Sequence, residues 1–174
     1  MRIFLVGFMG SGKSTLGKKL SELMKVSFID LDHKIETEEG KTINQIFAER
    51  GEEYFRKTEA EVLRKTKRNL NAVIATGGGT PCFYDNMKWM NDNGITVYVE
   101  AAAGELYHRL AKERQTRPLL ASLGDVALFD FIMSSLAHRK PLYVQAALKL
   151  PLKSATPAHI LNRIKGLKKR SKKK

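Results

Sequence analysis

Two glycines, a lysine and a hydroxyl stand at the spacing GxxxxGK[ST] in Gly7-Phe8-Met9-Gly10-Ser11-Gly12-Lys13-Ser14-Thr15. Each type answers a chemical need. Glycine lets the backbone curl until several N–H groups point at one polyphosphate, and a following helix adds its positive N-terminal end. Lys13 would reach the terminal phosphates, and the Ser14 hydroxyl would ligate Mg²⁺. Gly10, Ser11, Gly12, Lys13, Ser14 and Thr15 are the expected nucleotide contacts.

Asp30 and Asp32 are two apart, so at a strand end their carboxylates can face the same way. Such a pair can hold Mg²⁺, directly or through water, and bind or deprotonate an acceptor hydroxyl. The plainer role for Asp32 is a helix cap; the neighbouring phosphate loop favours chemistry. Arg56 precedes Glu59 by three residues, which describes a surface ion pair or an arginine that Glu59 orients toward an anionic substrate. Arg139, beside Pro141, carries the same two readings. Gly77-Gly78-Gly79 either makes a tight turn before Pro81 or lets a ligand approach bare backbone, at Gly78 and Gly79 above all. Arg117, in a polar segment bounded by Gly124, suits a lid that neutralises charge during phosphoryl transfer. His33, His108, His138 and His159 lack metal-ligand spacing.

The elements around these residues alternate between short apolar strands and amphipathic helices, the pattern of an α/β fold with a mostly parallel sheet. Ile3 to Val6, Val26 to Asp30, Ala72 to Ala75, Ile95 to Val99 and Ala147 to Leu150 read as strands. Helices are expected over Ser14–Met24, Asp32–Glu38, Thr42–Arg50, Glu52–Leu70, Asp85–Asn93, Gly104–Lys112, Asp125–His138 and Ala158–Leu167. The chemically unusual residues then fall after the first three strands, where ligands bind in such sheets.

Taken together and in order, the phosphate loop, Asp30-Leu31-Asp32, Phe55-Arg56-x-x-Glu59, Thr76-Gly77-Gly78-Gly79, Arg117-Pro118-Leu119-Leu120 and Arg139-x-Pro-x-Tyr143 resemble the shikimate kinases, from about Arg2 to Lys168. The resemblance implies a P-loop fold with five parallel strands in the order 2-3-1-4-5. It also implies transfer of the ATP γ-phosphate to the 3-hydroxyl of shikimate. In that scheme Lys13, Asp32 and Arg117 are catalytic, Ser14 and Asp30 hold Mg²⁺, and Arg56 and Arg139 clamp the substrate carboxylate beside Gly78 and Gly79. Thr156 belongs to an adenine loop, and either Arg109 or Arg114 is the adenine-side arginine. A substrate-binding segment would span about 31–60 and a lid about 113–124. Gln145 departs from the family pattern, which commonly has an acid there. A kinase for gluconate or a nucleoside monophosphate is the nearest alternative.

The 174 residues suit one domain, over 1–168. The formal charge of +13 drops to +5 without the eight basic residues between Arg163 and Lys174. That run reads as a disordered tail over 169–174, and a specific nucleic-acid partner is not expected. A lone cysteine, Cys82, and the absence of a leader or a long apolar run point to a cytoplasmic protein without disulfides or membrane contact, and the shikimate kinase reading makes it a monomer.

Overall fold

The computed structural model describes residues 1–114, Leu120 and residues 123–171. The central strand, β1 (Arg2–Val6), shows why its apolar run is unbroken. Ile3 and Leu5 pack into one core with Val73, Val97 and Leu20, while Phe4 and Val6 pack into another with Ile74 and Tyr98. Both faces of the strand are covered, so neither can be polar. β1 lies between β3 (Ala72–Ala75) and β4 (Ile95–Glu100), with β2 (Ser27–Asp30) and β5 (Leu148–Pro151) at the edges. Every pairing is parallel, in the order 2-3-1-4-5, so all five carboxyl ends share one rim.

Seven helices are described. They are α1 (Lys13–Met24), α2 (Leu31–Glu39), α3 (Ile43–Lys65), α4 (Asn86–Asn93), α5 (Ala103–Glu113), α6 (Asp125–Tyr143) and α7 (Pro157–Ser171). α3 opens on a capping box between Thr42 and Gln45 and breaks at Gly51, whose φ of 79° no regular helix contains. The two arms on either side of Gly51 match the two expected helices, although the second ends at Lys65 and gives way to a 3-10 turn over Thr66–Arg68.

Two helices run longer than the sequence pattern predicts. α6 does not stop at His138 before a proline turn; it continues to Tyr143 with Pro141 inside it. A proline in the last turn removes a single helical bond, which the packed end of the helix tolerates. Arg139 is therefore held on a helix. α7 extends to Ser171, three residues into the stretch expected to be disordered. Among the described residues no helix is long and apolar enough to cross a membrane.

Candidate active site

Gly12 ends the phosphate loop with φ 78° and caps α1, so its backbone turns in a way that other residues rarely adopt. Lys13 is only 7% exposed. Its Nζ donates to the carbonyls of Gly7 and Phe8, each at 2.8 Å. The lysine thus braces the curve of the loop as well as placing a positive charge in it.

Beside it, the Ser14 hydroxyl donates to Asp30 Oδ2 at 2.6 Å. A hydroxyl and a carboxylate oxygen side by side at the phosphate end are hard donors of the kind Mg²⁺ takes. Among the described residues no cluster of three or more His, Cys, Asp or Glu side chains could hold a metal. The pair alone supplies two oxygens of the six that Mg²⁺ takes. Asp30 also caps α2, accepting weakly from the His33 amide at 3.4 Å. The capping role that is the plainer reading of Asp32 is thus filled by Asp30, and Asp32 sits in the first turn of α2.

Asp32 faces Gly77, where an added Cβ would lie 2.8 Å from Asp32 Oδ1 and 3.0 Å from Glu59 Oε1. Burial, then the charges of Glu59 and Asp30, push the Asp32 carboxyl up to about 6 from an ordinary 3.8, against the pull of Lys13. It is poised to exchange a proton near neutral pH.

Glu59 is fully buried, which corrects the surface reading of its pair with Arg56. Its Oε2 accepts from Arg56 Nη1 at 2.9 Å and its Oε1 from Thr80 Oγ1 at 2.6 Å. Burial pushes its carboxyl up, and Arg56 and Thr80 pull it back. The Arg56 guanidinium lies 4.4 Å from the Phe83 ring centre and 5.0 Å from that of Phe55. A Cβ on Gly79 would come within 2.7 Å of it, so a side chain there would displace the guanidinium. Arg139 lies 5.4 Å from the Phe8 ring centre, and its Nη1 is 3.6 Å from where a Gly78 Cβ would stand. The Tyr143 hydroxyl, one turn further along α6, donates to the Gly78 carbonyl at 2.5 Å. Two guanidinium groups from separate helices therefore meet at two adjacent glycines.

A cleft of about 310 Å³ joins the phosphate loop to Asp30, Asp32 and the start of the glycine run, lined by Lys13, Ser14, Gly77, Gly78 and Arg109, among others; Arg56, Gly79 and Arg139 lie outside its lining. A wider groove of about 600 Å³ beside Ala101 and Leu136 holds no comparable convergence, and its Glu100 and Lys140 pair with each other at 3.0 Å. Charge and geometry locate the chemistry, and size does not.

The shikimate kinase family model matches residues 9–167. The chain belongs to the shikimate kinase family. A shikimate kinase from Phocaeicola vulgatus is 48% identical over 145 residues, covering 83% of each chain. A crystal structure of shikimate kinase from Bacteroides thetaiotaomicron superposes with a TM-score of 0.86 at 39% identity, over 97% of this chain and 98% of that one. The Acinetobacter baumannii enzyme, solved in complex with shikimate, gives a TM-score of 0.84 at 33% identity, over 99% and 95% of the two chains.

The two candidate adenine-side arginines have different partners. Arg109 Nη1 donates to the Gly10 carbonyl at 3.2 Å, on the phosphate loop. Arg114 instead ties the two ends of the next segment, donating to the Leu123 carbonyl at 2.7 Å and to Asp125 at 2.6 Å. Arg117 lies outside the described residues. Leu120, from the polar segment expected to form a lid, is fully buried. The Thr156 hydroxyl accepts from the His159 amide at 3.2 Å at the start of α7, a capping contact. The sequence reading assigned no role to Thr80, Phe83 or the Tyr143 hydroxyl. Tyr143 was visible as part of a motif; Thr80 and Phe83 act through contacts that no local spacing signals.

Proposed function

We propose that the protein transfers the γ-phosphate of ATP to the 3-hydroxyl of shikimate. The observation that supports this best is the meeting of Arg56 and Arg139 at Gly79 and Gly78, next to Asp32 and the phosphate loop. Two guanidinium groups on one side of a pocket match one carboxylate, since each forks onto its oxygens. A carboxylate anchored there leaves the ring hydroxyls of a small acid toward Asp32.

Lys13 and the loop N–H groups hold the phosphates, and Arg109 lies on the nucleotide side. Ser14 and Asp30 would hold Mg²⁺, which when bound neutralises the charge on the phosphate oxygens. Asp32 orients the acceptor hydroxyl and accepts its proton as the oxygen attacks. Arg117, by its motif alone, neutralises developing charge. Most of the rate in such a transfer comes from alignment and electrostatics. The protein acts as a cytoplasmic monomer in this reading, with Thr156 on the adenine side.

A coupled assay of ADP release against shikimate, gluconate and nucleoside monophosphates tests the reading. Shikimate should support turnover at least about 10²-fold better in kcat/KM than the others, since gluconate and a nucleotide, although anionic, do not bring a ring hydroxyl to Asp32 when their charge sits at Arg56 and Arg139. Preferred turnover of gluconate or a nucleotide would refute it.

A further inference from the structure

A line of hydrogen bonds, buried at its centre, runs from Arg56 through the loop after β3 to Arg64 at the C-terminal end of α3. Glu59, Thr80 and Asn86 are all fully buried. Thr80 Oγ1 donates to Glu59, and the Thr80 carbonyl accepts from Asn86 Nδ2 at 2.9 Å. Asn86 Oδ1 in turn accepts from Arg64 Nη1 at 2.7 Å, and Arg64 Nη2 donates to the Tyr84 carbonyl at 2.7 Å. Arg56, Glu59 and Arg64 all belong to α3, so the loop is fastened to one helix at two points.

The loop does not lie there by its own preference. Tyr84 and Asp85 have φ of 49° and 53°, two successive side-chain-bearing residues in the left-handed region. Such conformations persist only where surrounding contacts fix them. Arg64 supplies one of those contacts at Tyr84, and the adjacent Phe83 is thereby set 4.4 Å from the Arg56 guanidinium. The same loop thus fixes two of the partners of Arg56: Glu59 through the Thr80 hydroxyl, and Phe83 through Arg64 and Asn86. Glu52 and Glu59 take two of the five N–H groups of Arg56, which leaves Nη2 to meet an incoming carboxylate.

We infer that Thr80, Asn86 and Arg64 are positioning residues that set acceptor affinity by holding Arg56 in its carboxylate-accepting pose. The inference rests on the reading that Arg56 binds the carboxylate of shikimate. It predicts a selective defect. Thr80→Val keeps the shape and removes the donor to Glu59, so the Glu59–Arg56 geometry loosens.

The test is steady-state kinetics of Thr80→Val, Thr80→Ser, Arg64→Met and Arg56→Ala, each with its melting temperature. Thr80→Val should raise the KM for shikimate about tenfold, the scale of one hydrogen bond to a charged group, with the KM for ATP within about twofold. Thr80→Ser should restore the parental value. Arg64→Met, altered far from the cleft, should raise the same KM by a smaller factor. In an Arg56→Ala background Thr80→Val should add almost nothing, because its effect passes through Arg56. If Thr80→Val does not fold, Arg64→Met carries the test alone. The inference is overturned if neither variant raises the shikimate KM while Arg56→Ala does, or if the KM for ATP rises equally. Failure of the parent protein to phosphorylate shikimate would instead sink the functional reading.

Discussion

The Ser14 hydroxyl and the Asp30 carboxylate meet at 2.6 Å across the mouth of the phosphate loop. If this pair serves a nucleotide-borne Mg²⁺, weakening it should change metal demand before it changes anything else. Asp30→Asn should raise the Mg²⁺ concentration for half-maximal activity by about tenfold, equivalent to ~1.4 kcal/mol. Asparagine caps helices as well as aspartate does, so the melting temperature should hold. A Mg²⁺ titration identical to that of the parent would remove Asp30 from metal binding.

Asp32 makes a second prediction, in which stability and activity move in opposite directions. Its folded-state carboxyl is raised to about 6 from 3.8, so the folded protein binds the extra proton between those values. Stability from this group is therefore greatest below pH ~4, falls as pH rises to ~6, and stays low at neutral pH. Asp32→Asn removes the cost: at pH 7 it should be more stable by up to about 3 kcal/mol, less whatever the partly open cleft screens. The gain should shrink toward zero near pH 4. The same variant should lose about 10²-fold or more in kcat, on the scale of a general base. Urea melts at pH 4 and pH 7 check the first part, and equal shifts at both would contradict it.

What the sequence disclosed and what it hid divide along physical lines. The phosphate loop was legible because its chemistry tolerates few residue types, and the break in α3 because Gly51 has a backbone angle that favours glycine. The two-sided burial of β1 showed in its unbroken apolar run. The burial of Glu59 was hidden, because an i,i+3 pair has the same spacing in water or in a core. The end of α6 was misplaced, since Pro141 signals a stop only where packing does not carry the helix past it. The joining of Thr80 to Glu59 and of Asn86 to Arg64 depends on where a loop lies against a helix, and that is decided by tertiary packing.

Lys13 has two duties. Its bonds to the Gly7 and Phe8 carbonyls brace the loop, so substitution should loosen the loop as well as remove a charge. Lys13→Met, which keeps the stem, should lower kcat/KM by at least about 10²-fold, as losing one charge-stabilising group does. Amides of the loop should also exchange faster with solvent in the variant. Full turnover would remove the lysine from the mechanism; unchanged exchange would deny it the bracing role.

A methyl group at Gly79 should disturb Arg56 and leave the backbone unstrained. Its Cβ would stand 2.7 Å from the Arg56 guanidinium, which would have to swing away. Gly79→Ala should therefore raise the KM for shikimate about tenfold or more, on the scale of overpacking costs, and leave the KM for ATP nearly unchanged. Isothermal titration with shikimate provides an independent check, and unaltered affinity would show that Arg56 does not bind the acceptor from this position.

The most direct measurement is phosphorus NMR of a reaction containing the protein, ATP, Mg²⁺ and shikimate. One new phosphomonoester should appear for each ADP formed, with its phosphorus coupled to the proton on carbon 3 of shikimate. Release of inorganic phosphate in place of the ester, or a phosphorus coupled to another ring position, would contradict the assignment of Asp32, Arg56 and Arg139 to the acceptor.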